Sequence, residues 1–345
     1  MKKKFTIIIA ITLIALSVVS LTSVEQGTAQ AQGDYVYLGG YPIGISISAD
    51  GLIVVDIVDV NTPNGAVSPL KEAGIKRGDI LIEIDGQQLS NIYNLKQIVA
   101  DSSDDVEITY KSANCIKKVS VEPAVSLSGE KKLGVILKED VSGIGTVTFV
   151  TLNGKFGALG HHIADGESGL CDELKTGKIY PTSIDSVVKG DSTHAGGLVG
   201  TLNRLLTPTG TIETNCNIGI FGNYHGKTKG NLVKVAGIGE AQIGKAQIYT
   251  TVDGETPAYY DVEIVKVVEQ NRSKEKGLVL VVKDEKLIEK TGGIVQGMSG
   301  SPIIQDGVLV GAVTHVFVGD STRGYGVHAR FMVEKANLVD NRLVA

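Results

Sequence analysis

The chain has no tryptophan, only 8 prolines and 3 cysteines in 345 residues, and aromatic residues make up 5% of it. With so few aromatics, any core must be built from aliphatic side chains. The cysteines, Cys115, Cys171 and Cys216, stand far apart without a C-x-x-C pair. That spacing argues against a zinc site and supplies no disulfide framework, since one bridge plus a free thiol and three reduced thiols fit equally well. No H-E-x-x-H motif is present, which sets metalloprotease chemistry aside. Neither a cofactor nor a metal is expected. Charge of one sign is also lacking: 33 Lys and Arg against 38 Asp and Glu leave a net charge of −5. With no basic patch, nucleic acid is not an expected partner.

What is plentiful is glycine, 43 residues, set between runs rich in Val, Ile and Thr. This punctuation predicts a mainly β protein, long enough for two domains with real cores and an appendage. Lys2-Lys3-Lys4 precede a largely apolar run from Phe5 to about Val24, and Ala29-Gln30-Ala31 offers an A-x-A cleavage signature. Both a cleaved signal peptide and a retained anchor fit. The run exceeds a usual signal h-region of about 7–15 residues, which favours the anchor over residues 1–31. Either way the bulk of the chain is expected outside the cytoplasm.

Residues 32–123 read as a small separate domain. A Gly-containing turn at Pro42–Ile47 enters a strand, Leu52–Val60 is a second strand, and Ser68–Ile75 holds a short helix stopped by Gly74. The stretch AGIKRGDILIEIDGQQL, residues 73–89, then gives turn, strand and tight turn. This order resembles a PDZ domain. The resemblance implies that Tyr41, Pro42, Ile43, Gly44 and Ile45 form a loop whose N–H groups take a peptide's terminal carboxylate, the peptide adding as an edge strand. Pro42 lacks one such donor. Residues 124–132 read as a linker. From 133 to 345 one β-rich segment follows another, with short helices only at 285–290 and 331–338, which suggests a barrel or sandwich.

Two glycine corners in this second region carry chemistry. Gly297-Met298-Ser299-Gly300 puts a hydroxyl on a tight turn, followed by two apolar strands around Gln305-Asp306-Gly307. A serine nucleophile needs that exposure and close approach, and the N–H groups of Gly297 and Ser299 are the expected oxyanion donors. Ser301 is the rival hydroxyl, but the Gly-x-Ser turn fits Ser299. Upstream, the strong hairpin signal Asn153-Gly154 leads to Gly157-Ala158-Leu159-Gly160-His161-His162. Among the six histidines, His161 stands out as a base by its crowd of small neighbours; two adjacent histidines on a strand do not readily share a metal ion. For an orienting acid, Asp165, Asp185, Asp261 and Asp284 all remain open on spacing alone.

The segments FGALGHHIAD and TGGIVQGMSGSPIIQDGVLVGAVTHVF closely resemble the stage IV sporulation protein B peptidases. These serine peptidases combine an N-terminal hydrophobic segment, a PDZ domain and a C-terminal peptidase domain. The resemblance implies a chymotrypsin-like double β-barrel and catalytic residues His161, Asp284 and Ser299. It also implies a sporulation signalling role: self-cleavage near the N-terminus, and cutting of a membrane protein that restrains an intramembrane metalloprotease, with activation of a late sigma factor. The space between mother-cell and forespore membranes would be the site of action. The competing expectation is a non-enzymatic envelope scaffold carrying a PDZ module.

Overall fold

The structure is a computed structural model and describes residues 35–113, 115–168, 170, 174, 176–191 and 193–339. The apolar run Phe5–Val24, the Ala29-Gln30-Ala31 signature and Cys171 lie outside the described residues. No described helix is long and apolar enough to cross a membrane. Cys115 and Cys216 are free thiols.

The described chain is mainly β and holds two closed antiparallel barrels. Strands Pro42–Ser48, Val141–Thr151, Lys155–Ala158, Gly219–Tyr224, Gly210–Cys216 and Thr176–Pro181 pair in that cyclic order, the last returning to the first. Strands Gly244–Thr250, Ala258–Val267, Leu278–Val282, Asp320–His328, Val308–Phe317 and Pro302–Gln305 close a second ring in the same way. Full closure removes sheet edges that would otherwise template aggregation.

Alternation explains the rings. In Pro42–Ser48 the side chains of Ile43, Ile45 and Ile47 enter the first core beside Phe156, Ile179 and Ile220. In Leu278–Val282 it is Leu278, Leu280 and Val282 that enter the second, beside Ile248, Ile264 and Ile303. Each such buried aliphatic contributes about 1.5–3 kcal/mol of transfer free energy. Both hairpin signals are used. Gly154 turns with φ +73°, and Asp306 and Gly307 both adopt left-handed φ, 51° and 78°, as a two-residue turn between twisted strands requires.

A seam joins the rings. Strand Tyr35–Leu38 pairs with Val141–Thr151 of the first barrel and with Leu232–Val235, which runs parallel to Val308–Phe317 of the second. Val36, Leu38, Phe149 and Phe221 pack there with Leu309, Met332 and Val333, the last two from helix Ala329–Asn337.

Between its first two strands the first barrel is interrupted by a separate unit. Its sheet runs Val135–Lys138, Leu52–Ile57, Ile80–Ile84, Val106–Ser112, Cys115–Val121, with Gln87–Gln88 alongside Ile80–Ile84. Helices Pro69–Glu72 and Ile92–Asp101 cover a core of Leu52, Leu70, Leu81, Ile84, Leu95, Val99 and Ile108. Asn91 caps the longer helix, accepting the Asn94 N–H at 2.8 Å. The strand–helix order is that of a PDZ domain.

The domain limits differ from the expected 32–123, 124–132 and 133–345. Strands Tyr35–Leu38 and Pro42–Ser48 belong to the barrel sheet, and Val135–Lys138 belongs to the small sheet. The supposed linker is a hairpin pairing Ala124–Val125 with Lys131–Lys132. The expected carboxylate loop is displaced as well. Pro42, Ile43, Gly44 and Ile45 are paired on one side with Val141–Thr151 and on the other with Thr176–Pro181 or packed in line with it, while the Tyr41 carbonyl accepts the Val147 N–H. A strand with both edges taken has no row of N–H groups to offer a peptide.

Candidate active site

The strand Lys155–Ala158 ends at a tight corner. Leu159 and Gly160 both have positive φ, 69° and 72°. A Cβ on Gly160 would sit 2.9 Å from the Thr314 side chain, so only glycine lets this corner of the first barrel lie against the second. His161 follows immediately.

The serine corner docks from the opposite side. Thr146 donates its N–H to the Ser299 carbonyl at 3.0 Å and its hydroxyl to the Gly297 carbonyl at 2.8 Å, and the Thr148 hydroxyl donates to the Gly300 carbonyl at 2.7 Å. Gly300 has φ +92°, and a Cβ there would meet the Thr146 oxygen at 2.1 Å and the Leu159 nitrogen at 2.4 Å. The carbonyls of the turn are thus pinned to the first barrel. The N–H groups of Gly297 and Ser299 have no hydrogen-bond partner among the described residues.

His161, Gly297 and Ser299 line one cleft of about 390 Å³ between the barrels, with Ile45, Ile144, Leu159, Gln296, Thr314 and His315 among its other walls. The Ser299 hydroxyl donates to the Thr314 carbonyl at 2.7 Å. His161 Nδ1 lies 2.8 Å from the His162 carbonyl. A carbonyl only accepts, so Nδ1 carries the proton and Nε2 is the basic nitrogen. Burial is the main cause that lowers the His161 pKa from 6.5 to about 4; the His162 carbonyl opposes it and the neighbouring His315 and His162 add to it. The imidazole is therefore neutral and ready to accept a proton at neutral pH.

Ser301 is excluded as nucleophile. It is fully buried, donates to the Met298 carbonyl at 2.6 Å and lies 2.7 Å from the Thr250 hydroxyl.

The aspartates are elsewhere. Asp284, the acid implied by the resemblance, is not among the residues lining the cleft. It caps helix Glu285–Thr291, one carboxylate oxygen accepting the Leu287 N–H at 3.0 Å and the other the Asp261 N–H at 3.4 Å. The reason is local: an aspartate ahead of an apolar-periodic segment satisfies the orphan N–H groups of the first turn. Asp165 pairs with Lys138 and accepts the Ser168 N–H, Asp185 accepts from Thr201, and Asp261 from Gln247. Nδ1 of His161 is held by a backbone carbonyl instead.

Two residues of the site and one that braces it carried no signal in their local sequence. The His315 ring lies against that of His161, with centroids 4.7 Å apart and planes tilted by 37°. Thr314, beside it, supplies the carbonyl under Ser299. Asn215 accepts the Ile163 N–H at 2.8 Å and donates to the Ile163 and Leu174 carbonyls at 2.9 Å, fixing the chain just beyond the histidines. Only the three-dimensional pairing of distant strands reveals them. Among the described residues, no three His, Cys, Asp or Glu side chains gather as a metal site.

A hydroxyl, a neutral imidazole and two unpaired N–H groups in a cleft between two six-stranded barrels define a protein of the chymotrypsin-like serine peptidase class. The family model described as SpoIVB peptidase S55 matches residues 129–333, and the chain belongs to that family. It is a serine endopeptidase of the sporulation type. No protein of the curated set matches the chain. Among solved structures, the PDZ domain of the SdrC-like protein from Listeria monocytogenes aligns at 21% identity over 26% of this chain and 87% of that one, with a TM-score of 0.21.

Proposed function

We propose that Ser299 is the nucleophile and His161 the general base of peptide-bond cleavage, with the Gly297 and Ser299 N–H groups as the oxyanion hole. The observation that carries this reading is the meeting of His161, from the first barrel, and Ser299, from the second, in one cleft. Rotation of the Ser299 side chain off the Thr314 carbonyl turns its hydroxyl to His161 Nε2, which takes the proton as Oγ attacks the scissile carbonyl. The tetrahedral oxyanion is stabilised by the two N–H groups. The imidazolium then protonates the leaving amine, and water hydrolyses the acyl-enzyme by the reverse sequence.

Family membership supports the wider role: a membrane-associated enzyme, exported by its N-terminal apolar run, that trims its own N-terminal region. Its second substrate is a membrane regulatory protein whose cleavage frees an intramembrane metalloprotease and so a late sigma factor. It acts in the space between mother-cell and forespore membranes. N-terminal sequencing of the mature chain, with and without Ser299→Ala, tests this. Self-shortening in the parent and none in the variant is the expected result. Equal trimming in both, with contaminating protease excluded, would end the self-cleavage reading.

A further inference from the structure

We propose that Ile294 sets what this peptidase cuts: it closes the cleft beside Ser299, so that the residue supplying the attacked carbonyl must be small and uncharged, no larger than valine or threonine. This rests on the assignment of Ser299 and His161 above. Three observations carry it. Among the described residues, no Asp, Glu, Lys or Arg lines the cleft. Beside the serine turn its walls are Ala195, Ile294, Val295, Gln296 and Val316. Ile294 is only 2% exposed, and its Cδ1 stands 2.5 Å from the point that a Cβ on Gly324 would occupy. Gly324 is paired with Val316. The isoleucine thus reaches across to the facing strand pair, where only a glycine leaves it room.

The direction of the substrate follows from the chemistry. The attacked carbonyl oxygen takes the Gly297 and Ser299 N–H groups, and the leaving amine must face His161, which protonates it. The side chain on the acyl side therefore turns away from His161, towards the segment 294–296 that leads into the turn. That segment is held at both ends. The Ile294 N–H donates to the Ser321 carbonyl at 2.7 Å, and the Gln296 carbonyl accepts the Leu198 N–H at 2.8 Å. With its backbone fixed and Gly324 behind it, the Ile294 side chain fills the space that would give the cleft depth. A leucine or phenylalanine entering there meets a region already packed. A charged side chain would give up its hydration and find no ion to replace it. Glu275, whose carboxylate stands 3.6 Å from His162 Nδ1, is not among the lining residues. One methylene more or less in such a pocket changes the rate by about 10–200-fold.

The test uses the full chain in detergent, with denatured casein as substrate and a fluorophosphonate probe that labels an activated serine. Casein fragments are identified by mass spectrometry, and each cut is assigned to the residue on its acyl side. Cuts are counted per occurrence of that residue, so the readout is a ratio within one digest and is independent of overall activity. The parent should cut after Ala, Val, Thr and Ser at least about tenfold more often than after Asp, Glu, Lys, Arg or the aromatic residues. Ile294→Ala opens the floor and should raise cutting after Leu, Met and Phe, relative to Ala, by about tenfold or more, with charged residues still excluded. Thermal unfolding monitors the fold. Should the alanine variant melt early, Ile294→Val removes a single methylene and should raise cutting after Leu by about threefold or more. A parent that cuts after charged or aromatic residues as readily as after small ones would overturn the inference, and so would folded variants that keep the parent's pattern. A parent that neither labels nor cleaves casein, like Ser299→Ala, would sink the peptidase assignment itself.

Discussion

Ser299 gives its hydroxyl proton to the carbonyl of Thr314, at 2.7 Å, and not to His161. The proposed nucleophile and the proposed base share a cleft without sharing a hydrogen bond. The reactive arrangement requires the serine side chain to leave the Thr314 carbonyl, and catalytic hydrogen bonds commonly tighten only when substrate is bound.

The two serines of the turn should therefore fail differently. Ser299→Ala should remove turnover, leaving only the residual rate from oxyanion hole and binding, about 10³–10⁴-fold over water, without changing thermal stability. Ser301→Ala should keep the chemistry and lower stability by about 1–3 kcal/mol, because it leaves the buried Thr250 hydroxyl without its partner, while the Met298 carbonyl keeps the backbone N–H of residue 301. Casein turnover and thermal melts measured side by side check both.

Asp284 should behave as a cap first. Asp284→Ala should cost about 1 kcal/mol and loosen the helix that runs directly into Gly292 and the serine turn, lowering activity and melting temperature together. Asp284→Asn, an equally good cap, should restore both. If the asparagine variant melts like the parent yet loses activity about 10⁴-fold, as when a tautomer-fixing acid is lost, the carboxylate orients His161 in the working enzyme.

The pH dependence has a definite sign. The His161 pKa is depressed from 6.5 to about 4, so between those values the unfolded chain binds more protons at this site than the folded one. Stability from this group is complete above 6.5 and is lost progressively as pH falls towards 4. The base itself stays neutral down to about 4, which places the acid limb of fluorophosphonate labelling well below that of an ordinary histidine. Labelling rates and urea melts across this range check the two halves.

Gly300→Ala should be severe. Its Cβ would stand 2.1 Å from a backbone oxygen of the other barrel, at φ +92°. Neither strain nor clash can be relieved without pushing the serine turn off Thr146. A loss above about 3 kcal/mol and of all fluorophosphonate labelling is expected. Gly307→Ala, whose Cβ meets nothing within 4 Å, carries only the positive-φ penalty of about 1–2 kcal/mol and should keep the labelling.

Much of this was legible in local sequence. Asn153-Gly154 and Asp306-Gly307 announced their hairpins because such turns demand residues that tolerate positive φ. The glycine corners singled out Ser299 and His161 as candidates because a reacting side chain needs bare backbone around it, and the fold brings the two into one cleft. What stayed hidden depends on partners far along the chain. Ile43, Ile45 and Ile47 alternate as well for one sheet as for another, so nothing local said that Pro42–Ser48 closes a barrel instead of opening the PDZ unit. Val135–Lys138 reads as a peptidase strand for the same reason, yet it pairs with Leu52–Ile57. His315 looks like any half-buried strand residue until the two rings are seen to close against each other.

The small unit interrupts a barrel instead of preceding it, and this constrains how the molecule can be made. Strand Pro42–Ser48 emerges early in synthesis but finds its neighbour Val141–Thr151 only after the whole intervening module has been spun out. The module must fold as a loop pinned at both ends, and its own order shortens the entropic gap that the barrel has to close. A module that melts would leave the peptidase's first strand adrift, so damage far from the cleft would silence the enzyme through the order of assembly.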